Sequence, residues 1–175
     1  MRYVALLRGI NVGGNTMIKM AELKNSFESL GLKNVVTYVN SGNLAFDTTK
    51  TAERALIKKL EDLIDKNFGK QVPVMLREQK EITAIIAANP FEGEFESHKE
   101  MHVLFLKEEM PEDKQTQLHD AATGNERFAV KGREIYCHLP TGVADSLLGK
   151  QFIEAKLKTM YTGRNWRTVE RLADL

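Results

Sequence analysis

The sequence predicts an α+β fold of two similar halves, the second degenerate, packed into one compact unit. Three observations carry that prediction. Patterned segments run β-α-β-β-α-β over residues 1–92, and the pattern begins again at Met101. The opening strand of each half, Tyr3–Leu7 and Val103–Leu106, is apolar on both sides, as strands covered above and below are. Pro73 sits in the fourth strand, where a missing N–H is tolerated only at a sheet edge.

Each element has its own justification. After the first strand and a glycine-bearing loop, Met20, Leu23, Phe27 and Leu30 recur at helical spacing, and Gly31 stands where a left-handed cap belongs. Val35–Val39 is rich in β-branched residues and reads as a second strand. Asn40-Ser41-Gly42-Asn43 turns the chain into a returning strand at Leu44–Phe46. Leu56, Ile57, Leu60, Leu63 and Ile64 mark a long amphipathic helix that stops before Gly69, and Val72, Val74 and Leu76 alternate in a fourth strand. Right-handed crossovers then give the split βαβ, ferredoxin-like order 4-1-3-2, with the proline strand at an edge. A further helix holds Ile82, Ile85 and Ile86 and is broken by Asn89-Pro90-Phe91.

The second half, residues 93–175, reads as a strand at Met101–Leu106, a helix from about Pro111 to Ala122, and strands at 126–130 and 133–138 around Lys131-Gly132. Helical segments are expected to fill the rest, so this half lacks a clear final strand. A ferredoxin-like unit covers one face of its sheet with helices, and the other half is the expected cover for the second face.

Composition bounds the function. The chain has 175 residues, 42% hydrophobic and 28% charged, with net charge +1, an ordinary globular balance without a global field for an acidic or basic partner. Eight acids stand against Lys99 and Lys107 in residues 92–113, whereas six bases stand against Glu154 and Glu170 in residues 150–171. Both read first as solvated faces, the second also as a docking surface for an anionic partner such as nucleic acid. The lone Cys137 lies in an apolar strand pattern and cannot form an internal disulfide, so the expected compartment is the cytoplasm and the expected thiol is buried and inert. No signal peptide or membrane span is recognised, and no membrane partner is expected.

The two polar turns are where a ligand is expected. Strands one and two run the same way, so the loop after strand one and the hairpin after strand two share one end of the sheet. That makes Arg8, Asn11, Gly13, Gly14, Asn15, Asn40, Ser41 and Asn43 neighbours in a donor-rich hollow suited to phosphate, carboxylate or a nucleobase edge. The same residues also serve purely structural ends, because glycines permit positive φ and turn asparagines bond their own backbone. Arg164 and Asn165, beside Trp166, are further ligand candidates, with Trp166 itself expected to anchor the closing helix. The loop has neither the Lys-Ser/Thr ending of a P-loop nor G-x-G-x-x-G spacing, so no cofactor is assigned. His98, His102, His119 and His138 form no ligand pattern, so no metal is assigned. No catalytic residue is identified: Asp47 and Glu22 are the only acids near the turns, each more simply a surface or capping carboxylate.

These segments resemble a known family. Leu7-Arg8-Gly9-Ile10-Asn11-Val12-Gly13-Gly14, Met20-Ala21-Glu22-Leu23, and Tyr38 with Asn40-Ser41-Gly42-Asn43 are similar to the start of the uncharacterised bacterial domain-of-unknown-function family 1697. Asn89-Pro90-Phe91, His138-Leu139-Pro140 with Gly142 and Ser146, and Thr162-Gly163-Arg164-Asn165-Trp166-Arg167-Thr168-Val169 extend the resemblance over the chain. It implies a cytoplasmic α+β fold with two ferredoxin-like halves and no established activity. In that family lysines often follow the double glycine and basic residues flank the serine. Here Asn15, Met17, Asp145 and Leu147 stand instead, which weakens phosphate binding at those turns.

Three functions follow as expectations. The first is a binding protein for a small anionic or nucleotide-like ligand at the end of the first sheet. The second is an enzyme acting on a nucleotide or related metabolite. The third is nucleic-acid association through Lys150–Arg171.

Overall fold

The computed structural model describes all 175 residues. In chain order the elements are β1 (Arg2–Leu7), α1 (Met20–Ser29), β2 (Lys33–Tyr38), β3 (Asn43–Asp47), α2 (Glu53–Phe68), β4 (Val74–Glu78) and α3 (Gln79–Ala87). Then follow β5 (Met101–Leu106), α4 (Glu112–Ala121), β6 (Arg127–Lys131), β7 (Glu134–His138), α5 (Phe152–Ala155), β8 (Tyr161–Asn165) and α6 (Trp166–Leu172). The chain divides into two units, Met1–Thr83 with Arg171–Leu175, and Ala84–Glu170.

The first unit carries a four-stranded antiparallel sheet in the order β2-β3-β1-β4, the ferredoxin-like order expected from the pattern. Tyr3, Ala5 and Leu7 of β1 join Leu23 and Phe27 of α1 and Leu60 and Ile64 of α2 in one core. The alternate residues Val4 and Leu6 are buried on the opposite face. Local signals close the helices: Gly31 takes φ 81° and donates its N–H to Glu28 O at 2.9 Å, and Gly69 takes φ 63° after α2. Pro73 lies one residue before β4, which is an edge strand.

The second unit repeats this plan with the order β6-β7-β5-β8. Here the sequence reading is corrected. A final strand exists, β8, where helix was expected. Tyr161-Thr162-Gly163-Arg164-Asn165 has a glycine, an arginine and an asparagine in its second half, so it carries no apolar alternation and gains its conformation from pairing. All five of its residues pair with β5, from His102↔Asn165 to Leu106↔Tyr161. Gly163 lies close over β5: a Cβ there would stand 3.1 Å from Leu104 Cδ2, which would have to shift by a few tenths of an ångström. What is reduced in this half is its second helix, the single turn α5.

The register shows how closely the halves correspond. Val4 pairs with Arg77 as Val103 pairs with Arg164. Both arginines are buried on their edge strands, and each donates from Nη1 to the carbonyl of the preceding residue, Leu76 at 2.8 Å and Gly163 at 2.9 Å. Such a bond meets part of the hydrogen-bonding demand that a buried guanidinium carries. Burial pulls the Arg164 guanidinium down to about 10.

Candidate functional site at the loop end of the first sheet

The site begins with two backbone bonds at the end of β1. Leu7 N–H donates to Gly42 O at 2.9 Å and Arg8 N–H to Pro73 O at 3.0 Å, so the departing loop is tied to both neighbouring strands' connections. Beyond Gly9 the chain folds into a small exposed hairpin. Asn11 N–H meets Thr16 O at 3.1 Å, and Asn15 N–H meets Val12 O at 3.0 Å. Gly13 and Gly14 form its tip with φ 58° and 77°, positive at both central positions as a type I′ turn requires.

Asn11 joins this loop to the second turn. Its Nδ2 donates to Ile18 O at 2.9 Å and to Asn40 O at 2.8 Å, while its Oδ1 accepts from Ile18 N–H at 2.8 Å. Both amide hydrogens and one side of the amide oxygen are thereby used, and residues 8–15 and 40–43 stand side by side. Gly42 seals the junction. A Cβ at that residue would fall 2.8 Å from both Ile10 Cδ1 and Leu7 Cβ, and its φ is 89°.

Among the expected ligand residues the structure therefore separates framework from surface. Asn43 is fully buried and donates to Tyr38 O at 2.8 Å and Ser41 Oγ at 3.1 Å, so it shapes the turn. Asn11 is the staple. Gly13, Gly14, Asn15 and Asn40 are exposed, and Arg8 and Ser41 are half-buried. Of the two acids, Asp47 lies at the other end of the sheet, opposite Arg2, whereas Glu22 belongs to the loop end.

Between the loops and the start of α1 lies a groove of about 410 Å³. Asn11 and Asn40 line one side, and Met17, Ile18 and Met20, with Lys19 and Glu22, line the rest. The sequence placed Glu22 near the turns but gave Met17, Ile18, Lys19 and Met20 no part in the site. The signal was an apolar residue inside a polar loop, and Met17 is 64% exposed; Val12 and Val39 are also exposed in the two loops but do not line the groove. Two β-branched residues here also take positive φ, Thr16 at 48° and Val39 at 49°. Such backbone costs about 1–3 kcal/mol per residue and concentrates at functional sites.

Arg164 and Asn165 lie in the other unit, on β8. Arg164 Nη1 donates to Thr162 Oγ1 at 2.7 Å, and Asn165 Oδ1 accepts Thr168 N–H at 3.0 Å, opening α6. Trp166 is buried, edge-on to Phe95 with ring centroids 6.0 Å apart. With Arg164 buried, the basic stretch from Lys150 to Arg171 loses one of its six cations as a contact surface. Asn89-Pro90-Phe91 meets His138-Leu139-Pro140 in the same unit: the Phe91 and His138 rings are 5.9 Å apart, and Arg127 lies 4.8 Å over Phe91. Ser146 Oγ donates to Val143 O at 2.6 Å and so holds its own loop. Cys137 is buried, and burial together with nearby Glu126 pushes its thiol up, away from the reactive thiolate.

A family model described as "Protein of unknown function (DUF1697)" matches residues 1–136. The chain belongs to this family. Among solved structures, the conserved bacterial protein SP0830 from Streptococcus pneumoniae is similar with a TM-score of 0.78 and 24% identity, over 99% of this chain and 97% of that one. The two share the fold. No curated protein matches the chain. Both loops, 8–15 and 40–43, fall inside the matched span, so the groove is built within the part that defines the family.

Proposed function

We propose that this protein binds a small nucleotide-like ligand in the groove where the two loops of its first half meet. The carrying observation is the joint made by Asn11, which fixes a groove of about 410 Å³ with an apolar wall, a lysine and an unburied amide. Met17 and Met20 offer soft, polarisable thioethers suited to the flat face of a base. Lys19 supplies charge for an anionic group, and the exposed Gly13-Gly14 turn and Asn40 add polar contacts at the rim. The cation of this reading is Lys19, because Arg8 does not line the groove. Glu22 is the one carboxylate on the lining, which supports binding in preference to acid–base chemistry between paired carboxylates.

A thermal-shift screen of nucleotides and other anionic metabolites tests this on the wild type, Met17→Asp and Lys19→Ala. A ligand at a hundred times its Kd stabilises by about 2.7 kcal/mol, which for a chain of this length raises Tm by roughly 5–10 °C. The expected result is at least one such hit that both variants lose or halve. Equal responses from all three proteins to every hit would remove the groove from the reading.

A further inference from the structure

We infer that the second half carries a separate anion site, a groove at the end of its sheet that takes a multiply charged phosphate compound. The corresponding ends of the two sheets are identified by matched backbone bonds. Leu106 N–H donates to Arg133 O at 2.8 Å as Leu7 N–H does to Gly42 O, and Lys107 N–H donates to Met160 O at 3.2 Å as Arg8 N–H does to Pro73 O. In the second half the connection from β5 to α4 is short, without the folded-back hairpin, and a groove of about 390 Å³ opens there.

Its cations come from three separate segments: Lys107 directly after β5, Lys114 in the first turn of α4 and Lys158 ahead of β8. The segment bearing Lys158 is held by Thr159 N–H to Ile153 O at 3.1 Å and by the Lys107–Met160 bond, so the lysine backbones are fixed relative to one another. Glu108 and Glu109 line the same groove from one exposed loop. Three lysines and two glutamates on the lining leave a formal excess of one positive charge. A monovalent carboxylate gains little from that balance, whereas a di- or polyanionic phosphate draws on all three ammoniums and competes with the two exposed glutamates for them.

Inorganic pyrophosphate, titrated into ¹⁵N-labelled full-length protein, is the direct probe, with acetate at equal ionic strength as the control. The expected result is saturable shifts confined to the amides of Lys107–Lys114 and Lys158–Met160 and absent with acetate. The Lys107→Ala/Lys158→Ala double variant should weaken pyrophosphate at least about tenfold, while Lys150→Ala/Lys156→Ala, which removes two exposed lysines outside the groove, leaves it unchanged. Unsaturable or scattered shifts, shifts only at residues 17–22, or wild-type affinity in the double variant would each overturn the proposal. Shifts at residues 17–22 alone would overturn it while leaving the first-half groove standing, so the two readings fail independently.

Discussion

The two halves of this molecule have the same strand order and the same register about their central strands β1 and β5, yet finish differently at one end of their sheets. In the first half the chain leaving the central strand folds back as a hairpin, and Ile10 packs down against Gly42. In the second half it crosses directly to α4, and Arg133 occupies the place of Gly42. The comparison teaches that sheet pairing sets the repeat, whereas the connections decide what each end can hold. One end is a groove with methionines on its wall, the other a groove lined by three lysines and two glutamates.

The strongest test of that contrast is a matched pair of substitutions. Gly42→Ala forces a Cβ against Ile10 and Leu7 at positive φ, and should cost about 2–4 kcal/mol by urea denaturation. Arg133→Ala, at the corresponding place without a packed-down loop, should cost about 1 kcal/mol or less. Similar losses in both would break the claim that the hairpin makes the difference.

Asn11→Ala should come next in size. It leaves the Ile18 and Asn40 backbone groups without their partner, and should destabilise by about 1–3 kcal/mol while loosening the groove. Proteolysis between Gly9 and Met17 should quicken in step with the loss of stability, since the hairpin then loses its side-chain tie to the second turn. Unchanged cleavage would show that the backbone bonds alone hold the loop.

The smallest effect concerns the opposite end of the sheets, where Arg2↔Asp47 in the first half corresponds to Met101↔His138 in the second. The hydrogen bond from Asn34, then that from Arg2, holds the Asp47 carboxyl below its ordinary value of 3.8. A carboxyl depressed in the folded state stabilises above its unfolded pKa, and that contribution disappears as pH falls through the folded value. Asp47→Asn should therefore flatten the pH dependence of stability below about pH 4 and change neutral-pH stability by about 1 kcal/mol or less. An unaltered acid limb would show that the carboxylate contributes nothing to folding.

Much of this architecture was legible in the residues. Val-rich β2, the apolar runs of β1 and β5, and Gly31 and Gly69 as helix stops each state their conformation through local chemistry. Pro73 also pointed to the edge placement of β4. The strand β8 was not legible, because a segment such as Tyr161–Asn165 becomes a strand through pairing with β5 rather than through apolar alternation. The meeting of the two loops followed from topology, but the division of labour within them did not. The sequence left Asn11 and Asn43 open between ligand donors and turn framework, and their partners identify them as framework. Met17 and Met20 read as ordinary apolar residues until exposure shows one of them turned to solvent beside a groove.

The central claim is that the joined loops of the first half form the binding groove. It is tested most directly by mapping amide shifts on ¹⁵N-labelled protein with the strongest hit from the nucleotide screen. The account predicts saturable shifts at Met17–Glu22 and Asn40 that vanish in Met17→Asp. Saturable shifts elsewhere, with residues 17–22 and 40 unmoved, would contradict it.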